Sequence, residues 1–246
     1  MDAARRLRTA AADVAELRAL DRLDARVRDA RTALRAWQAA RLAHTHGDLL
    51  AQPRYAAATR FFLDELYGAK DFSQRDAELA RLIPTLARLL PESALETIAG
   101  AVELDALSER LDLATARAIA ADPAVRAAGT GRGAGAIDDE TYARAYRAAG
   151  SRADRERQIE LVDRIGRSLD GLVRQPLLGG LLRAMETPAR LAGLSAMHEF
   201  LASGFAAFRA MRGADAFLRT VAERETELMR RVYAGVPDPF RRTTAS

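Results

Sequence analysis

The stretch that decides the fold runs from Leu7 to Trp37 and reads LRTAAADVAELRALDRLDARVRDARTALRAW. Its apolar residues recur every three or four positions, which is the spacing that lines one face of an α-helix. They are Leu7, Ala10, Val14, Leu17, Leu20, Leu23, Val27, Ala30, Leu34 and Trp37. This seam slips once, near Leu20, and predicts a long N-terminal helix over about residues 3–46. Such a helix would span roughly 60 Å at about 1.5 Å per residue, so we expect it to bend, break or project as part of an antiparallel hairpin.

The rest of the chain repeats the helical spacing, and alanine, leucine, arginine and glutamate, which are strong helix formers, dominate it. We therefore predict an all-α protein, an irregular multi-helix bundle of about eight helices with a long N-terminal helix. The segment from Thr187 to Arg212, interpreted with Pro188 at its first helical position, carries two apolar stripes. We expect it to be the most buried helix, and the start of the N-terminal helix to be the least buried.

Two local signals predict how helices begin and pack. Asp138 lies between Ile137 and Tyr142, which is the pattern of an N-cap flanked by a hydrophobic staple. Gly166 interrupts the apolar seam of residues 159–173, and a glycine at such a position predicts that two helices approach closely there.

Composition excludes several classes of protein. The chain has 246 residues, of which 49% are hydrophobic, so it can form a sizeable core. It contains no cysteine, which excludes a disulfide scaffold, a thiol nucleophile and a thiolate metal site. The longest stretch without a charged residue is Phe200–Phe208, far shorter than the roughly 20 residues of a membrane-spanning helix. The N-terminus lacks an apolar signal core, which predicts a cytoplasmic protein.

The glycine-rich segment 127–136 is the strongest candidate for a domain boundary, because its composition is typical of a flexible loop. The prediction is a single all-helical domain over residues 1–246. The alternative is two helical subdomains, 1–123 and 137–236, joined by this loop. The same glycines do not predict a nucleotide site, because neither a preceding buried strand nor a final Gly-Lys-Ser/Thr accompanies them.

The three histidines predict no metal site and no cofactor. His44, His46 and Asp48 lie within five residues of one another at a helix end. They could ligate a metal, but favourable placement of a cation near a helix C-terminus explains them more simply. His198 has Ser195 one turn before it and no strand-turn-helix context for a hydrolase nucleophile, so it is interpreted as a core histidine.

Charged residues concentrate around Tyr67, and this corner is the best candidate for a polar site. Paired carboxylates can perform acid–base chemistry or hold a divalent ion, but they also cap helices. The carboxylates and the arginine are Asp64, Glu65, Asp71, Asp76 and Arg75. A pocket between this corner and the 187–212 helix would be lined by His198, Met197, Tyr67, Asp71, Arg75 and Asp76.

Five arginines follow Ser151, and nearby acidic residues offset their positive charge. The pairs Glu160–Arg164 and Asp163–Arg167 are four residues apart in the favourable order. We interpret these arginines as a solvated face and predict no nucleic-acid binding. The arginines are Arg152, Arg155, Arg157, Arg164 and Arg167.

Residues 61–67 read Phe-Phe-Leu-Asp-Glu-Leu-Tyr, followed by Gly68 and then Asp71-Phe72-Ser73. This stretch resembles the bacterial FFLEELY-motif proteins, with Asp64 in place of a glutamate. Residues 155–161, 188–194 and 204–209 are similar to such proteins as well. The family has no assigned activity, so the resemblance implies a full-length helical protein and no catalytic residues.

The sequence favours a non-enzymatic protein with a structural or protein-interaction role. The heptad-like seam of residues 7–37 predicts a protein partner or self-association through the N-terminal helix. The alternative is a ligand-binding or catalytic helical protein that uses the pocket between the 187–212 helix and the Tyr67–Asp76 corner. A further hypothesis is weak binding of an anionic surface by the arginine-rich chain ends.

Overall fold

The computed structural model of the chain describes residues 2–20, 24–66, 73–89, 92–123, 125 and 137–241. Over these ranges the chain forms eleven α-helices and no strand, which confirms the predicted all-α class. The first six are α1 Ala3–Leu20, α2 Ala25–Thr45, α3 Gly47–Ala51, α4 Pro53–Phe61, α5 Ser73–Leu89 and α6 Glu92–Ala121. The other five are α7 Asp139–Ala148, α8 Arg152–Val173, α9 Leu178–Leu191, α10 Ser195–Met211 and α11 Asp215–Tyr233. A π-helical turn, Phe62–Leu66, continues α4.

The long N-terminal helix breaks where its apolar seam slips. α1 ends at Leu20, and α2 begins at Ala25 after Asp24, whose carboxylate accepts from the backbone N–H groups of Arg26 and Val27. An N-cap of this kind satisfies backbone donors that a helix start leaves free. Both helices then pack along α6, the longest helix described.

Four apolar clusters form the core of the described residues, and α6 contributes to three of them. One joins α1, α5 and α6 around Leu7 and Leu95. A second joins α2, α6, α7 and α11 around Tyr142. The third joins α4, α8, α10 and α11 around Phe208 and Phe217. A fourth, smaller cluster joins α6 to α8. The cluster around Tyr142 therefore includes helices from both sides of residues 126–136.

The predicted helix Thr187–Arg212 is wrong in its bounds and in its burial. Pro188 lies inside α9, and the chain turns at Gly193, whose φ of +67° ends α9 before α10 begins. The Gly193 and Leu194 N–H groups donate to Arg190 O and Ala189 O, a capping pattern typical of helix C-termini. Leu191 is 82% exposed, whereas α6 buries apolar side chains along most of its length.

The start of the N-terminal helix is well buried, contrary to the sequence prediction. Ala3 and Leu7 are about 1% and 0% exposed, because α5 and α6 cover this end of α1. The predicted Asp138 N-cap is confirmed, since its carboxylate accepts from Thr141 N. The prediction for Gly166 is confirmed as well, because a Cβ there would overlap Leu218 Cδ2 of α11.

The choice between one domain and two subdomains stays a prediction. The glycine-rich segment on which it depends lies outside the described residues. Among the residues that the structure describes, no helix combines the length and the hydrophobicity that crossing a bilayer requires.

Candidate functional site

One side of α9 presents an uninterrupted apolar surface to solvent. The positions follow one another at intervals of one or three residues, so they share a single side of the helix. We call this surface the α9 face, and all its residues are exposed: Leu177, Gly180, Leu181, Ala184, Met185, Pro188, Leu191 and Ala192. Leu177 is 85% exposed and Leu181 is 57% exposed.

The opposite side of α9 holds the helix against α10. A Cβ at Gly179 would lie 3.0 Å from the Phe205 ring, so the two helices are close at this point. Three residues further along α9, the Leu182 carbonyl accepts a hydrogen bond of 2.9 Å from His198 Nε2. Ala189 is buried near the end of α9. One side of α9 is therefore fixed to α10, and the apolar side faces solvent.

The α9 face contains most of the large exposed apolar side chains in the described residues. Six such side chains are exposed, and four of them are Leu177, Leu181, Met185 and Leu191. Leu201 of α10, 45% exposed, is the fifth, and Val236 near the C-terminus is the sixth. Single exposed apolar residues are ordinary on protein surfaces, but a contiguous group of this kind is typical of an interaction site.

The polar residues of α9 lie to one side of this face. Arg183 and Arg190 are exposed and lie between the α9 face and the side that contacts α10, and the exposed Glu186 lies further from the face. Next to Leu177, a basic groove of about 530 Å³ contains Arg174, Arg209 and Arg212. Its carboxylate, Asp170, is already engaged by Arg174 and by the Ala214 N–H. The surroundings of the α9 face are therefore polar and mainly basic.

The structure places four of the six predicted pocket residues. Met197 is buried, and its backbone N–H donates 2.7 Å to Oε2 of Glu78, a buried residue of α5. Glu78 thus supplies an acceptor in the first turn of α10, which has no side-chain cap of its own. His198 is half-buried against α9.

The remaining pocket residues lie on α5 or outside the described residues. The Arg75 guanidinium lies over the Phe200 ring, 4.7 Å from its centroid, so α5 and α10 are in contact there. Asp76 pairs with Arg18 and Arg75. Tyr67 and Asp71 lie outside the described residues. The predicted ligand pocket at this corner therefore stays a prediction.

A hydrogen bond from His46 and an ion pair of Asp48 join the α2–α3 junction to α11. His46 is buried, and its Nε2 donates 3.0 Å to Glu225 Oε1, which also accepts 2.5 Å from Arg41. Asp48 receives two hydrogen bonds, of 2.7 and 2.8 Å, from Arg224. Burial alone would raise the pKa of Glu225, but the charge of Arg41 and the hydrogen bond from His46 lower it to about 2.

No metal site is found near these histidines in the ranges that the structure covers. There, three or more histidine or carboxylate side chains do not come together in an arrangement that could hold a metal ion. His44 is exposed and does not join His46 at Glu225. Arg41 and Glu225 form a partly buried ion pair that, with the hydrogen bond from His46, holds α2 against α11.

The interpretation of all five arginines after Ser151 as a solvated face is wrong for Arg155. This side chain is 2% exposed, lies 4.2 Å from the Tyr146 ring centroid, and donates 3.0 Å to Thr115 Oγ1. Its position four residues before Ile159 keeps it in phase with the buried seam, which is the signal that could have identified it.

A second buried polar cluster surrounds Glu109 of α6. Its carboxylate pairs with Arg18 of α1 and with Arg31 and Arg35 of α2. Arg31 is only 2% exposed and lies in phase with Val27 and Leu34 of the same seam. Sequence reasoning missed this cluster, which connects the first two helices to α6.

Comparison with family models gives one match. The model described as a domain of unknown function (DUF8198) matches residues 17–239, which include α9 and the His46–Glu225 pair. Comparisons with curated proteins and with solved structures give no match.

Proposed function

The chain belongs to the family described as a domain of unknown function (DUF8198), and from this premise we propose that it is a protein-interaction module that docks a partner on the α9 face. The observation that carries the proposal is the exposure of Leu177, Leu181, Met185 and Leu191 along one side of a helix whose other side is anchored to α10.

Exposed apolar surface provides a driving force for association. Each Å² removed from water contributes about 25 cal/mol, and monomeric proteins seldom expose contiguous apolar patches larger than about 300–600 Å². The α9 face extends over sixteen residues, or about 24 Å at about 1.5 Å per residue. A partner that covers it would gain more than it would from any other apolar side chains exposed in the described residues.

The interaction surface proposed here differs from the one that the sequence favours. Self-association through the N-terminal helix would need the apolar seam of α1 and α2. Leu7 and Val14 of that seam are buried with α5 and α6, and Leu34 is buried with α6 and α7. Because the chain uses these residues for its own core, α9 is the better candidate.

A cytoplasmic location and the resemblance to FFLEELY-motif proteins belong to the same proposal. So does a non-enzymatic role. It is supported by the described polar groups at the alternative pocket, which bond within the protein. Glu78 binds the start of α10, and Asp76 pairs with Arg18 and Arg75. A ligand at this corner would have to displace these contacts.

Site-specific photo-crosslinking tests the proposal. A benzophenone amino acid is placed at Met185 on the α9 face or, as the control, at Ala57, an exposed residue of α4. In cells that make the protein natively, Met185 is expected to give a discrete protein adduct that Ala57 does not give. The adduct is expected to disappear when Leu181→Glu is added, because a charge on the face opposes burial. Identical products from Met185 and Ala57 would refute the proposal.

A further inference from the structure

We infer that the partner on the α9 face is a second copy of the same chain, packed antiparallel about a twofold axis that passes beside Ala184. This inference rests on the proposed docking function of the α9 face and assigns its occupant. A twofold interface uses the same surface on both copies, so the surface must match itself when its direction is reversed.

The two ends of the α9 face lie at equal distances from Ala184. Leu177 lies seven residues before Ala184 and Leu191 lies seven residues after it. Seven residues make about two helical turns, so all three lie on one side of the helix. The two leucines are the most exposed large apolar side chains described, at 85% and 82%. In the antiparallel pair, Leu177 of each copy packs against Leu191 of the other.

Small residues occupy the middle of the face. Gly180 is four residues before Ala184, and a Cβ at Gly180 would meet no atom within 4 Å. Pro188, four residues after Ala184, is also exposed, so Gly180 of one copy lies opposite Pro188 of the other. The distance between packed helices falls toward about 8 Å when the residues at the contact are small. The centre of the face therefore permits close approach, while the leucines fill the two ends.

The charged residues of α9 lie outside the centre of this pairing. Arg183, Glu186 and Arg190 lie on the flank of the helix, away from the line that joins Leu177, Ala184 and Leu191. No charged side chain of α9 is therefore buried at the centre of the contact, where an unpaired charge would be costly.

The size of the face indicates the strength of the dimer. Two faces, each about 24 Å long on helices about 10 Å across, cover on the order of 500 Å² together, which is below the size of stable interfaces and typical of weak, transient ones. We therefore expect a dimer that dissociates on dilution. In a twofold dimer, Leu177 and Leu191 of both copies are covered, so neither leucine stays exposed to solvent.

Cysteine crosslinking tests the register directly, because the chain contains no cysteine of its own. Four single-cysteine variants are made in the full chain: Ala184→Cys, Leu177→Cys, Leu191→Cys and, as the control, Ala57→Cys. Under mild oxidation, Ala184→Cys is expected to form a disulfide-linked dimer at least tenfold faster than the control, because this residue meets its own symmetry mate. A disulfide needs Cα atoms within about 7 Å.

The terminal positions distinguish antiparallel from parallel packing. Leu177→Cys alone and Leu191→Cys alone are expected to crosslink no faster than the control, since each lies about 21 Å from its own symmetry mate. An equimolar mixture of the two is expected to give a mixed disulfide rapidly. Crosslinking of Leu177→Cys with itself, or an Ala184→Cys rate equal to that of the control, would overturn the inference.

The photo-crosslinking result separates this inference from the proposed function. A Met185 adduct with the mass of two copies of the chain agrees with both. An adduct with a different protein, together with a failed cysteine pattern, overturns the second-copy assignment and leaves the docking function in place. No adduct beyond that of Ala57 overturns both.

Discussion

Glu225 is a single carboxylate whose ionisation contributes to stability. Its folded-state pKa of about 2 lies below the ordinary value of 4.5. A depressed pKa means that the stabilisation is fully present above about pH 4.5 and is lost as the pH falls toward 2. We expect Glu225→Gln to lower the free energy of unfolding by on the order of 3 kcal/mol at pH 7 and by little at pH 2. Denaturant titrations at pH 2, 3, 4.5 and 7 measure this difference.

The matched control is Glu223→Gln on the same helix, an exposed residue two positions away. Substitution of a carboxylate at the surface changes stability by about 0.5 kcal/mol or less. Subtracting the control removes the general effect of one charge on α11. If the difference in the free energy of unfolding between the two variants stays constant from pH 7 to pH 2, Arg41 and His46 do not stabilise the ionised form of Glu225.

The buried charges show how far single residues can be interpreted from the sequence. His46 and Asp48 could be recognised as polar residues at a helix end, but not as partners of α11. Glu225 and Arg224 are about 180 positions further along the chain. Arg155 and Arg31 lie in phase with buried seams, yet phase alone does not say whether a long side chain ends in solvent or under another helix. Only the tertiary contact decides this.

The contact between α8 and α11 depends on a missing side chain. A Cβ at Gly166 would overlap Leu218 Cδ2, and Leu218 is only 2% exposed, so it has little room to move. We expect Gly166→Ala to lower the free energy of unfolding by about 1–3 kcal/mol, because overpacking forces side chains from their preferred rotamers or separates the helices. Thermal and denaturant unfolding measure the loss.

Gly171 of the same helix provides a control at which substitution by alanine should change the free energy of unfolding in the opposite direction. A Cβ at Gly171 would meet no atom within 4 Å. Because alanine is the better helix former, Gly171→Ala is expected to stabilise the protein by about 0.5–1 kcal/mol. Equal effects of the two substitutions would show that backbone propensity, and not the contact with Leu218, determines the result at Gly166.

At the scale of elements, the sequence predicted helices well and their surroundings less well. The break near Leu20 and the cap at Asp138 depend on local chemistry, which the sequence contains. The prediction that Pro188 begins a helix is wrong, because the sequence alone does not distinguish a proline at a helix start from one within the last turns of α9. The spacing of Leu177, Leu181 and Met185 indicates an apolar face, but spacing does not say whether a core or a partner covers it.

At the scale of the whole molecule, a dimer interface on the α9 face should make the stability of the folded chain depend on protein concentration. A partner that binds only the folded chain stabilises it by mass action. If the α9 face joins two copies, the melting temperature of the protein should rise by about 1–3 °C for each tenfold increase in concentration above the dissociation constant. Leu181→Gln combined with Leu191→Gln should remove this dependence, since both side chains lie on the face and glutamine is a comparable helix former.

The same pair of substitutions should leave the isolated chain unchanged. Leu181 and Leu191 are 57% and 82% exposed, so their replacement removes little packing within one copy, and the melting temperature at the lowest concentration should shift by less than about 2 °C. Val236→Gln, at an exposed apolar residue away from α9, is the control and should keep the concentration dependence. A double variant that melts much lower at every concentration would show that the leucines stabilise the single chain, and that the α9 face belongs to its own fold and not to an interface.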